Sequence, residues 1–150
     1  MFTRNNPLLV AALAIFTILA IALPALAEVH DGKTYAIEKA IPKLELDYPF
    51  ILRESWSSGE LAEGDVKIIQ HQLYKRNEYW FWIGASLLDS RLNIHIYDSE
   101  GNLTDAESFQ TANVAGVKVI PSKTGTYYLR IAVESSPVEK TPWAVIYAYR

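Results

Sequence analysis

Four aromatic residues follow one another at Tyr79, Trp80, Phe81 and Trp82, inside the stretch RNEYWFWIGAS. On a β-strand successive side chains point to opposite faces, so no single core can take all four. Any fold built around this strand must account for both of its faces. Tyr79, Phe81 and Ile83 share one phase, and Trp80 and Trp82 share the other.

The neighbouring segments also read as strands. Residues 65–74 (DVKIIQHQLY) form one, and KRN at 75–77 turns the chain into the aromatic strand. In RLNIHIYD, Leu92, Ile94 and Ile96 alternate with Asn93, His95 and Tyr97, the signature of a half-buried strand. DSEGN closes it with turn chemistry, Gly101 and Asn102 included. GVKVIP sets Val117 and Val119 against Lys118, and Pro121 stops it. SKTGTYYLRIAVES turns at Gly125 and then places Tyr127, Leu129, Ile131 and Val133 on one face. PWAVIYAYR aligns Trp143, Val145, Tyr147 and Tyr149.

Roughly six short strands without helical stretches between them predict an all-β fold, an antiparallel jelly-roll-like β-sandwich. The mixed segment before it, residues 28–63, is expected to pack on the sandwich and to contain a short helix. PFILRESWSSGEL is the place for that helix, opened by Pro49 and ended near Ser58–Gly59.

Residues 1–27 read as a signal peptide. A short start carrying Arg4 precedes an apolar run from Leu8 to Leu23, and Ala25-Leu26-Ala27 offers the small residues of a cleavage site. The run is shorter than the ~20 residues a spanning helix needs, so no stable membrane anchor is expected after cleavage. The chain has no cysteine, which excludes a lipid-modified cysteine and disulfide staples alike. The destination is periplasmic or extracellular. There, stability has to come from apolar burial, and nine tyrosines, four tryptophans and five phenylalanines supply an aromatic-rich core.

The run GDVKIIQHQLYKRNEYWFWIGAS, then LNIHIYDSEGN, VIPSKTGTYYLRIAV and PWAVIYAY, resembles the bacterial pre-peptidase C-terminal (PPC) domain over residues 64–150. The aromatic-x-Phe strand, the alternation ending in Tyr-Asp-x-x-Gly and the Ser-x-x-Gly-Thr-Tyr-Tyr-Leu hairpin carry the resemblance. It implies a jelly-roll-like accessory module on an exported protein, not a catalyst. Some PPC relatives and the related collagen-binding modules hold calcium with an Asp-x-Asp pattern before the third strand. Here that stretch is DSRLN, with Arg91 and Asn93 in place of acids. A guanidinium beside a cation that wants six to eight oxygens is poor chemistry, so calcium is not carried over.

Composition excludes several functions. The net charge of −3 falls by one more when Arg4 leaves, which argues against nucleic acid. No Gly-x-Ser-x-Gly elbow accompanies His30, His71 or His95, and the 17 acids fall in no glycosidase pattern, so an enzyme is not expected. No cofactor motif is present. One metal site is conceivable: cleavage after Ala27 would put His30 third from a free amine. That arrangement offers four nitrogens in the square-planar geometry of Cu(II) or Ni(II).

The phase opposite the expected core collects Trp80, Trp82, Tyr97, Tyr128 and Arg130, with Asn93 and His95. On neighbouring strands they would form an aromatic sheet face, where a solvated face would ordinarily be polar. Such a face suits a glycan or a protein partner. The competing reading lays the leader across it. With Tyr48, Phe50, Ile51, Leu52 and Trp56, the leader would make the tryptophans a second core; another copy of the chain could cover them in the same way.

Overall fold

The computed structural model describes residues 31–53 and 57–150. Over these residues it is an antiparallel β-sandwich with one helix. α1 spans Gly32–Leu44, and nine strands follow: β1 (Ile51–Leu52), β2 (Ser57–Leu61), β3 (Val66–Leu73), β4 (Tyr79–Ala85), β5 (Arg91–Tyr97), β6 (Asp105–Thr111), β7 (Val114–Val119), β8 (Gly125–Ser135) and β9 (Thr141–Tyr149). The larger sheet runs β1-β9-β4-β7-β6, with β2 also on β9; the smaller runs β3-β8-β5. Every pairing is antiparallel. No helix among the described residues is long and apolar enough to cross a membrane.

The core between the sheets follows the sequence phases. Tyr79, Phe81 and Ile83 of β4 meet Leu92, Ile94 and Ile96 of β5 and Leu129, Ile131 and Val133 of β8. Val117, Val119, Trp143 and Val145 complete it. Burying side chains of this size contributes roughly 1.5–3 kcal/mol each before entropy is counted. The interior is ample for a chain without disulfides.

The helix lies earlier than the sequence predicts. Residues 51–52 and 57–61 are strand, whereas α1 occupies a stretch that shows no sustained apolar period. Asp31 caps it, its carboxylate accepting the Thr34 N–H at 2.8 Å. Its buried face is made of Gly32, Ala36 and Ala40, spaced i, i+4, which lets the helix lie close to a sheet. Small residues give little apolar signal, and Pro42 disguises the last turn. The helix nevertheless continues to Leu44, with the Glu45 N–H bonded to Ile41 O at 3.1 Å.

β6 also lay hidden in the sequence. DAESFQT is an edge strand, mostly exposed, with Phe109 as its one large apolar residue. It closes one side of the sandwich. The Thr104 N–H reaches Ile96 O at 2.9 Å and the Ile96 N–H reaches Asp105 Oδ1 at 2.8 Å, so β5 finds partners across the layer gap.

Candidate functional site

The five residues predicted as one aromatic face lie on opposite sides of the molecule. Trp80 and Trp82 are on β4 in the larger sheet, whereas Tyr97, Tyr128 and Arg130 are on β5 and β8 in the smaller one. The prediction fails because β4 pairs with β7 and β9 and not with β5 or β8. Strand phase was read correctly; strand neighbours were not.

Trp80 and Trp82 are 4% and 1% exposed. Their rings stack at 5.7 Å and form a second core with Ala36, Ala40, Phe50, Ile146 and Ala148. Lys43 sits over the Trp80 ring at 5.2 Å. The N-terminal segment therefore covers this face, and neither indole can meet a ligand there. Trp56, which the sequence places in the same cover, lies outside the described residues, as do the signal-peptide reading and His30 with its metal site.

Tyr97, Tyr128 and Arg130 do come together. Cross-strand pairing on the outer face of the smaller sheet makes three rows: Val66, Ala132 and Asn93; Ile68, Arg130 and His95; Gln70, Tyr128 and Tyr97. Ile68 is 50% exposed and Tyr128 36%, and Val66 is exposed beside them. Among the described residues no helix lies across this face as α1 lies across the other. The sequence missed the contribution of β3, although the phase of Val66 and Ile68 against Ile69 and Leu73 was available to find it.

At the rim of this face, His95 Nδ1 lies 2.5 Å from Asp105 Oδ2, whose other oxygen takes the Ile96 N–H. His95 is bonded to Asp105, and His71 makes ring contacts with Phe81 and Tyr147. Arg91, where the resemblance would want a calcium ligand, donates from Nε to Glu134 at 2.9 Å and to Gln110 at 3.0 Å. Hydrogen bonds from Gln110, Asn93 and Arg91 hold the Glu134 carboxyl below its usual value. No cluster of three metal-ligating side chains occurs among the described residues. In the 98–102 turn, Asp98 accepts the Glu100 and Asn102 N–H groups, and Gly101 takes the positive φ of 84°.

The opposite side of the sandwich is open, because β3 has no partner beyond β8. One cleft there, of about 240 Å³, is lined by Ile69, His71, Phe81, Val145 and Tyr147. His71 packs edge-on against Phe81 and Tyr147 at 5.1 and 5.2 Å, and burial lowers its pKa. A second cleft shares Tyr147 as a wall. It measures about 210 Å³ and is lined also by Arg53, Tyr74, Asn77, Tyr79 and Tyr149. These residues come from four separate segments, so no motif groups them.

No protein-family model matches the chain, and no curated protein matches it significantly. Among solved structures it is similar to Aeromonas hydrophila PliG, a periplasmic lysozyme inhibitor of g-type lysozyme. The TM-score is 0.46 at 11% identity, over 64% of this chain and 85% of that one. It is also similar to Bacillus licheniformis lipase BlEst2 in its propeptide form. There the TM-score is 0.46 at 16% identity, over 70% of this chain but 23% of the lipase chain.

Proposed function

We propose that the protein is an exported, non-catalytic binding module that meets a protein partner through the outer face of the β3-β8-β5 sheet. One observation carries this reading: the two outer sheet faces are treated differently. The larger sheet's apolar outer face is covered by α1, whereas the smaller sheet leaves Val66, Ile68 and Tyr128 in water. A solvated sheet face is ordinarily polar. Aliphatic and tyrosine surface around a central arginine, on a flat face, is the composition of a protein interface core.

The PPC-like resemblance supports an accessory role, and the apolar run upstream of the described residues supports export. A structural or assembly subunit is the second reading. The self-covered tryptophan face favours it, since the N-terminal segment already completes one layer.

The test pairs Ile68→Asp and Tyr128→Asp variants with the unaltered chain in affinity capture from cell-envelope extract, followed by titration of the purified partner. The expected result is one partner bound by the unaltered protein and lost by both variants at unchanged melting temperature. Binding that survives both variants would sink the proposal. Retention of a polysaccharide in place of a protein would move it to the glycan class, and concentration-dependent self-association would favour the assembly reading.

A further inference from the structure

We propose that the cleft between Arg53, Tyr74, Asn77, Tyr79, Tyr147 and Tyr149 binds one ring of an acidic saccharide, a hexuronate residue, with Arg53 holding its carboxylate. This site is independent of the outer face of the smaller sheet.

The cleft is rich in donors, and among the described residues that line it Arg53 alone is charged. Arg53 is fully exposed and sits with its guanidinium 5.8 Å from the Tyr149 ring. Among the described residues it pairs with no carboxylate, whereas Arg91 pairs with Glu134 and Arg150 with Glu78. Among the described residues no acid lines the cleft. The Arg53 N–H bonds Tyr147 O at 3.0 Å, which sets the base of its side chain beside the tyrosine wall. A planar fork of N–H donors is suited to a carboxylate.

Tyr79 is a second, independent pointer. Its ring is 4% exposed, and its oxygen accepts both the Tyr74 N–H and the Asn77 Nδ2 amide at 3.1 Å. Both lone pairs are thereby used, and among the described residues the hydroxyl hydrogen has no acceptor. A buried phenol donor at a cleft wall is completed by an acceptor brought from outside.

Size and shape select the class. About 210 Å³ is below the range of drug-sized sites and suits a single ring. Tyr74, at 56% exposure, offers a flat face on which the C–H face of a sugar can stack. Gln72 and the Asn77 carbonyl add amide groups that ring hydroxyls can satisfy and that a simple aromatic acid would leave unpaired.

The experiment uses the full chain and ligand-observed NMR titration with methyl β-D-glucuronide, methyl β-D-glucoside and 4-hydroxybenzoate. Arg53→Gln serves as the site variant and Tyr128→Asp as the control. The expected result is millimolar binding of the glucuronide, weakened about tenfold or more by Arg53→Gln and by removal of the ligand's carboxylate, as for loss of a charge-assisted hydrogen bond. Added salt should weaken it further, and Tyr128→Asp should leave it unchanged. No glucuronide binding, equal binding of the glucoside, or binding indifferent to Arg53→Gln would overturn the proposal. Preference for 4-hydroxybenzoate would overturn the saccharide assignment. Since Arg53 is exposed and buries nothing, the variant keeps its fold and the readout stays interpretable.

Discussion

Gly32 and Gly84 pass each other backbone to backbone. A Cβ built on either residue would overlap the other's carbonyl oxygen. This contact brings the first turn of α1 down onto β4, beside the two tryptophans it helps to cover.

Gly84→Ala should therefore lift the helix start or strain the strand, since the obstacle is main chain that cannot swing aside. Overpacking of this kind costs about 1–3 kcal/mol. Urea unfolding followed by tryptophan fluorescence reads it, with a red shift of the folded-state emission if α1 detaches. An Ala variant as stable as the original would mean that the helix is not held at this contact.

Trp82→Ala removes the largest fully buried side chain of the second core. The expected cost is about 3–5 kcal/mol, measured as a lower denaturation midpoint. Emission from the intact protein should be blue-shifted and poorly quenched by acrylamide. Ready quenching of the Trp80 and Trp82 component would contradict their burial.

His71 predicts a pH dependence with a definite sign. Burial between Phe81 and Tyr147 lowers its pKa below the ordinary 6.5, so the folded protein holds this proton less readily than the unfolded chain. Stability is then complete above 6.5 and is lost as pH falls below it toward the folded value. The carboxyls of Asp31, Glu107 and Glu134, all lowered, lose their contributions only further into acid. His71→Leu should flatten the slope of urea midpoint against pH just below 6.5. An unchanged slope would remove His71 as its source.

Asp105→Ala should cost about 1–3 kcal/mol, because it strips the acceptor from the Ile96 N–H as well as from His95. Asp105→Asn keeps an oxygen for Ile96 and should cost less. Hydrogen exchange at Ile96 distinguishes the two: faster exchange is expected in the alanine variant alone.

The sandwich was legible because its core strands carry large side chains in a clean period-two pattern. Leu92, Ile94 and Ile96, and Leu129, Ile131 and Val133, announce both strand and facing. The elements that escaped notice are those whose packing needs no large side chain. α1 docks through Gly32, Ala36 and Ala40, and β6 is a polar edge with one phenylalanine lodged against Gly116. Strand neighbours were the second loss. Residues 79–85 and 91–97 are close in sequence, but they belong to different sheets, and nothing in either phase records that. The predicted aromatic face split for this reason alone. Arg53, Tyr74, Tyr79 and Tyr149 escaped for a related one, since the pairing of β1 and β4 with β9, beside the end of β3, brings them to one cleft.

The place of β9 governs when this chain can fold. This strand is a hub: it hydrogen-bonds β4 on one edge and both β1 and β2 on the other. Until residues 141–149 pair, β4 lacks one neighbour, β1 and β2 have none in that sheet, and α1 has half a floor. Long-range pairing of this order makes folding late and slow compared with locally wired folds. The sheet that carries α1 therefore closes only when residues 51–61 meet residues 141–149, partners far apart along the chain.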